Sequence, residues 1–229
     1  LKQAAVEAIQ GDINQYGITW GAKPLRDAIC RKAKRYNGID AGPVKNVTVT
    51  CGATEGMICA LMGIVNPGDE VVIFEPFYEN YIPDTILSGA TPRFVKLRPP
   101  GWGFDAAELA RAFSRRTKAV VITTPNNPTG KVFSRAELER IAALCRKWNA
   151  FAVTDEVYEH ILYEGEHVSI ASLDGMAERT VVTSSLSKTF CITGWRLGWS
   201  IAPERVAGAI RKMHDFMTVG APHPLQIAA

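Results

Sequence analysis

Strands alternating with helices along most of the chain predict an α/β fold: a mostly parallel, seven-stranded sheet with helices on both faces. Two observations carry the prediction. Short apolar, β-branched runs recur along the sequence, and segments of helical period separate them. In chain order, the helix-like stretch Leu1–Ile9 precedes a helix candidate at Pro24–Tyr36 and the strand Val47–Thr50. Helix Thr54–Val65 follows, and Asn66-Pro67-Gly68-Asp69 stops it and turns the chain. Strand Glu70–Phe74, helix Tyr78–Leu87 and strand Arg93–Leu97 come next. Asp105 with Glu108 resembles a capping box for helix Ala106–Phe113, and Ser134 with Glu137 makes one for Arg135–Trp148. The remaining strands are Ala119–Thr123, Phe151–Thr154, Thr180–Ser184 and Leu197–Ile201, and helix Glu204–Met217 follows them. No repeat, low-complexity tract or interdomain linker interrupts residues 1–229, so one large domain is expected. The chain opens inside a helix-like stretch and stops at Leu225–Ala229, which reads as the start of another helix. We therefore expect a segment of a longer protein.

Composition narrows the function classes. The chain is 47% hydrophobic and 21% charged, an ordinary balance for a soluble globular protein. A net charge of +3 is too small to argue for nucleic acid or membrane. The basic run Arg31–Arg35 has no aromatic interleaving and reads as the solvated face of a helix. The five cysteines are scattered without a C-x-x-C pair, which suggests buried free thiols in a reducing cytoplasm. The four histidines show no metal spacing, and no metal is expected. No apolar run is long enough to span a membrane and no signal peptide is visible.

In open α/β sheets, ligands bind beyond the carboxyl ends of the strands, so the residues after each strand carry the functional argument. Cys51-Gly52-Ala53-Thr54-Glu55-Gly56 opens a helix, where small residues let N–H groups and a hydroxyl face an anion; an ordinary helix cap fits equally. Tyr78, after Glu75-Pro76-Phe77, can stack on a flat ring or simply pack in the core. Thr124-Pro125-Asn126-Asn127-Pro128-Thr129-Gly130 is a rigid loop able to hold an Asn amide toward a ligand, and a plain turn is the alternative. Asp155 ends an apolar strand, so it needs a cation, or else it caps a helix; Tyr158 follows one turn on. Ser185-Leu186-Ser187-Lys188-Thr189 supplies an amine beside hydroxyls, with Arg196 between Gly194 and Gly198. Alone, that lysine also fits a solvated loop. Together the five ends offer an anion cradle, a ring stacker, an amide donor, a carboxylate with a phenol, and an amine with serine and arginine. A phosphorylated aldehyde on a protonatable ring, as in pyridoxal 5'-phosphate (PLP), needs that set.

These motifs, with Asn14-Gln15-Tyr16 and Gly194-Trp195-Arg196-Leu197-Gly198, strongly resemble the class I/II aminotransferases of PLP fold type I. The likeness covers essentially the whole chain. It is closest to the branch containing kynurenine, glutamine, methionine and aromatic aminotransferases. The resemblance implies that 1–229 is the PLP-binding large domain, with the N-terminal arm and C-terminal small domain elsewhere. It implies that Lys188 forms the internal aldimine and acts as general base, and that Asp155 pairs with the pyridinium nitrogen. Asn127 and Tyr158 would bond the phenolic oxygen O3', and Tyr78 would stack on the ring. Gly52, Ala53, Thr54, Ser185 and Arg196 would hold the phosphate, and Tyr16 would reach the phosphate of the neighbouring subunit in a homodimer. Cis bonds are expected at Glu75–Pro76 and Asn127–Pro128. The arginine that clamps the substrate carboxylate is expected outside this chain.

The implied activity moves an amino group from an L-amino acid to a 2-oxo acid. A PLP-dependent β-lyase acting on cysteine conjugates would need the same cofactor residues. The effector domain of a transcription regulator built on this fold is a further alternative. A dinucleotide-dependent dehydrogenase is disfavoured, because no G-x-G-x-x-G follows the first strand.

Overall fold

The computed structural model describes residues 1–229. Its strands are β1 (Val47–Thr50), β2 (Glu70–Glu75), β3 (Thr91–Arg98), β4 (Gly103–Phe104), β5 (Thr117–Thr123), β6 (Phe151–Asp155), β7 (Thr180–Ser185) and β8 (Gly198–Ile201). They form one sheet in the order β1-β8-β7-β6-β5-β2-β3-β4. The block β7-β6-β5-β2-β3 is parallel. β8 lies antiparallel between β1 and β7, so β1 points the same way as that block. The expected seven strands are present, and the eighth, β4, is a two-residue antiparallel partner of β3. Two residues are too few to carry a period in sequence.

Each central strand is apolar on both sides, and the pleat sends alternate residues to different cores. Val72 and Phe74 of β2 and Val120 and Ile122 of β5 join one core, which α5 (Ala106–Ala112) and α6 (Arg135–Trp148) cover. Val71, Ile73, Ala119 and Val121 face the opposite core, beneath α3 (Gly52–Ile64), α4 (Tyr81–Leu87) and α7 (Glu204–Met217). A third cluster joins α2 (Lys23–Lys32) to β1 and β8 through Leu25, Ile29, Val47, Val49 and Ile201. α1 (Lys2–Gln10) packs beside α8 (His223–Ala228). Ser134 and Glu137 form the expected reciprocal capping box of α6. Asp105 caps α5, whereas Glu108 turns away to Lys96 and Arg98. No helix is long and apolar enough to cross a membrane.

Several expectations need correction. The helix expected from Tyr78 begins at Tyr81, because Pro83 lacks an N–H and fits only the first turn. The helix expected over Pro24–Tyr36 ends at Lys32 and continues as a π turn, Ala33–Asn37. That wider turn lets Lys32, Tyr36 and Asn37 all bond Glu159, so a buried polar demand overrides helical regularity. The basic run is therefore only partly a solvated face. The thiols are not uniformly buried: Cys59 and Cys145 are, Cys30 and Cys51 are half-buried, and Cys191 is exposed.

The central strand sets the stability test. Ile122→Ala removes a fully buried side chain from β5 and should cost about 2–5 kcal/mol. Exposed Glu139→Ala should stay within about 0.5 kcal/mol. Urea denaturation of both variants checks the contrast, and equal losses would contradict this core.

Candidate active site

The carboxyl ends of β1, β5, β6 and β7 meet around a cavity of about 210 Å³. Ala53, Thr54, Tyr78, Asn127, Asp155, Tyr158, Ser185, Lys188 and Arg196 all line it. Of the remaining sequence-derived residues, Gly52 lies directly behind Arg196, where a Cβ would collide with the guanidinium. Tyr16 lies apart, 86% exposed, in a separate hollow beside His223.

Asp155 closes the inner end. Its Oδ2 accepts the Tyr81 hydroxyl at 2.9 Å, and its Oδ1 accepts the Val157 N–H at 3.2 Å. The Thr123 hydroxyl donates in turn to the Tyr81 oxygen at 2.6 Å. Burial pushes the Asp155 carboxyl up to about 6, against the pull of those two donors. Burial also lifts the Tyr81 hydroxyl well above its usual value, so it stays a neutral donor. A buried carboxylate with one neutral donor per oxygen is chemically suited to a cationic N–H partner.

The rigid loop divides its two asparagines. Asn126 is buried and holds the turn, accepting from the Thr129 N–H and hydroxyl. Asn127 is left to face the cavity. Across from it, Lys188 Nζ lies 5.6 Å from the centre of the Tyr158 ring. The Lys188 loop is pinned by the Ile192 N–H and the Thr193 hydroxyl, which donate to the Ser187 carbonyl. Tyr78 meets Tyr81 edge-on, with ring centres 5.8 Å apart. The expected cis bonds at Glu75–Pro76 and Asn127–Pro128 are present, as are cis Pro99–Pro100 and Thr124–Pro125.

The outer end is a cradle for an anion. Arg196 adopts a left-handed φ of 54° and donates to the Thr193 and Cys51 carbonyls. Ser185, Thr54 and the unpaired N–H groups of the first turn of α3 stand beside it. The backbone approaches closely here: a Cβ on Gly198 would lie 2.5 Å from Ala53 N and closer still to Gly52. The donor set fits a phosphate at one end of the cavity and a protonated ring nitrogen at the other, with an amine between.

Sequence reasoning missed Tyr81, Thr123 and Asp84. Tyr81 and Asp84 lie within the helix expected over Tyr78–Leu87 and carry no motif there. The available signal was polarity itself, since a buried tyrosine hydroxyl or carboxyl needs a reason to be there. Asp84 lines the cavity with its Oδ2 unpartnered, and burial pushes its carboxyl up to about 7.

The chain is similar to known proteins over its whole length. The family model described as aminotransferase class I and II matches residues 1–229. Kynurenine–oxoglutarate transaminase 1 of Homo sapiens is 41% identical over 240 residues, covering 99% of this chain. The chain spans 57% of that relative's length. The structure of N-succinyldiaminopimelate aminotransferase from Mycobacterium tuberculosis superposes with a TM-score of 0.96 at 43% identity, over 99% of this chain and 60% of that one. An aromatic aminotransferase from Pyrococcus horikoshii gives 0.96 at 36% identity, over 99% and 61%.

Asp155 makes a pH prediction. Its folded value of about 6 exceeds the ordinary 3.8, so the folded state holds the proton more tightly than the unfolded chain. Its contribution to stability is therefore greatest below about pH 4 and is lost as pH rises to about 6. Wild type minus Asp155→Asn, measured as unfolding free energy without added ligand, should fall across that window and then level. A flat difference would remove the buried-carboxylate account.

Proposed function

The chain belongs to the class I and II aminotransferases, and from that membership we propose a PLP-dependent aminotransferase that moves an amino group from an L-amino acid to a 2-oxo acid. The observation carrying this reading is that Lys188, Asp155 and Arg196 share one cavity with the required chemistry at each end. Residues 1–229 serve as its cofactor-binding large domain. The unpaired cysteines support a reducing, cytoplasmic setting.

When bound, PLP supplies an aldehyde that condenses with amines and a ring that accepts an electron pair. The residues of this chain would orient it. Arg196, Ser185 and Thr54, with the N–H groups beside Gly52 and Ala53, would hold the phosphate. Asp155 would keep a proton on the ring nitrogen, and Tyr81 keeps Asp155 oriented. Asn127 and Tyr158 would donate to the phenolic oxygen, and Tyr78 would cover the ring. Lys188 would anchor the cofactor covalently through its aldehyde carbon. With the Lys188 amine free, it would take the proton from the substrate Cα and deliver it to that carbon. In a homodimer, exposed Tyr16 is free to reach the neighbouring subunit's phosphate.

Lys188→Ala should lose the visible absorption of covalently held cofactor and lower transfer by more than about 10²-fold. Retained turnover in that variant would sink the assignment. Asp155→Ala should keep cofactor yet lose most of the rate, measured at saturating PLP. Product analysis separates the reaction types: transfer requires a 2-oxo acid acceptor, whereas release of ammonia without an acceptor indicates elimination.

A further inference from the structure

Behind the anion cradle lies a second buried pair that the proposed chemistry does not use. Glu55, in the first turn of α3, is 7% exposed. Its Oε2 accepts the Cys51 N–H, and its Oε1 accepts the Thr218 hydroxyl at 2.6 Å. The same Oε1 lies 2.8 Å from His214 Nδ1. His214 is fully buried on α7, and its Nε2 faces the Thr19 carbonyl oxygen at 2.8 Å. Acceptors face both ring nitrogens, an arrangement that favours the imidazolium. Burial opposes that charge, but the Glu55 carboxylate, the Thr19 carbonyl and Asp215 together outweigh it and raise the His214 pKa.

What the pair holds is the backbone of one residue. Cys51 caps α3: its N–H, in the peptide with Thr50, is bonded by Glu55, and its carbonyl, in the peptide with Gly52, accepts Arg196 Nη2 at 3.3 Å. Turning that residue would move both the guanidinium and the first-turn N–H groups of α3. A carboxylate this near a phosphate site would also repel the phosphate if it were unpaired. His214 cancels that charge while fastening α3 to α7 and to the residues around Thr19.

We propose that Glu55 and His214 are positioning residues for the anion cradle, fixing Arg196 and the start of α3 through the Cys51 backbone. The inference rests on the reading of the cavity as a PLP site, and it commits to the phosphate monoester as the group whose binding they control.

The test compares PLP with pyridoxal, which lacks the phosphate, in binding titrations of the full-length protein. Glu55→Gln and His214→Gln should each weaken PLP roughly tenfold, the loss that one buried unsatisfied group brings, and leave pyridoxal unchanged. The double variant should be no worse than the weaker-binding single one, because both act through the Cys51 backbone. Equal losses for both ligands would show a merely structural role and overturn the proposal, as would fully additive losses. Thr218→Val removes only one hydrogen bond to the same carboxylate, and it should show the same phosphate-selective loss in a milder form if the others fold poorly. Wild type that binds PLP no better than pyridoxal would instead defeat the cofactor reading itself.

Discussion

Gly198 pairs with Thr50 of β1 on one side and Ser185 of β7 on the other. That single residue aligns two strand ends that lie far apart in sequence. It brings the first turn of α3 beside the serine-lysine loop, and it stands two residues after Arg196. The approach is possible only without a side chain, since a Cβ would overlap the Gly52–Ala53 peptide. The anion cradle is therefore a backbone construction before it is a side-chain one. Its donors come from the first turn of α3 after β1, from β7 and from the loop before β8, and the antiparallel insertion of β8 is what makes them neighbours.

At the other end of the cavity the constraint is charge. Glu156 and Glu159, just beyond Asp155, are both buried, yet each is compensated. Glu159 has Lys32, Asn37 and the Ser184 hydroxyl. Glu156 has the Thr154 and Ser169 hydroxyls and His167 Nε2, which donates to it at 2.9 Å. This network anchors the segment that carries Asp155 and Tyr158, and the π turn of residues 33–37 exists to reach it. Asp155, with one neutral donor on each oxygen, faces the cavity. The protein thus places Lys32 and a set of neutral donors on the glutamates behind the site and leaves Asp155 in front for a ligand's positive charge.

The strand ends were legible in sequence because their chemistry is local. Lys188 sits among hydroxyls, Asp155 follows an apolar run, and Gly52-Ala53-Thr54 opens a helix. Their convergence followed from the parallel sheet, which places such ends on one edge. What escaped was pairing across long separations. Glu55 and His214 are 159 residues apart, and Tyr81 and Asp155 are 74 apart. Neither pair leaves a periodic trace. The π turn escaped for the same reason, since Lys32, Tyr36 and Asn37 read as helix until Glu159 is placed beside them. Pro83 was visible and does fix the start of α4, because a proline five residues into a helix would lack a donor that the helix requires.

Asp84 and Asp155 show how hydrogen bonds distinguish two buried carboxyls of one cavity. Both carboxyls are buried and both line the same wall-to-wall space. Burial alone acts on Asp84 and pushes it up to about 7. Asp155 is desolvated as well, but the Tyr81 hydroxyl and the Val157 N–H favour its charged form, and its carboxyl is pushed up to about 6. The two hydrogen bonds favour the charged form of the carboxyl at the strand end, the one facing the lysine. Asp84, with an unpartnered Oδ2, has no such support. A tyrosine three residues before Asp84 in the same helix supplies one of those bonds, so the first turn of α4 favours the charge of Asp155 and leaves its own carboxyl to burial.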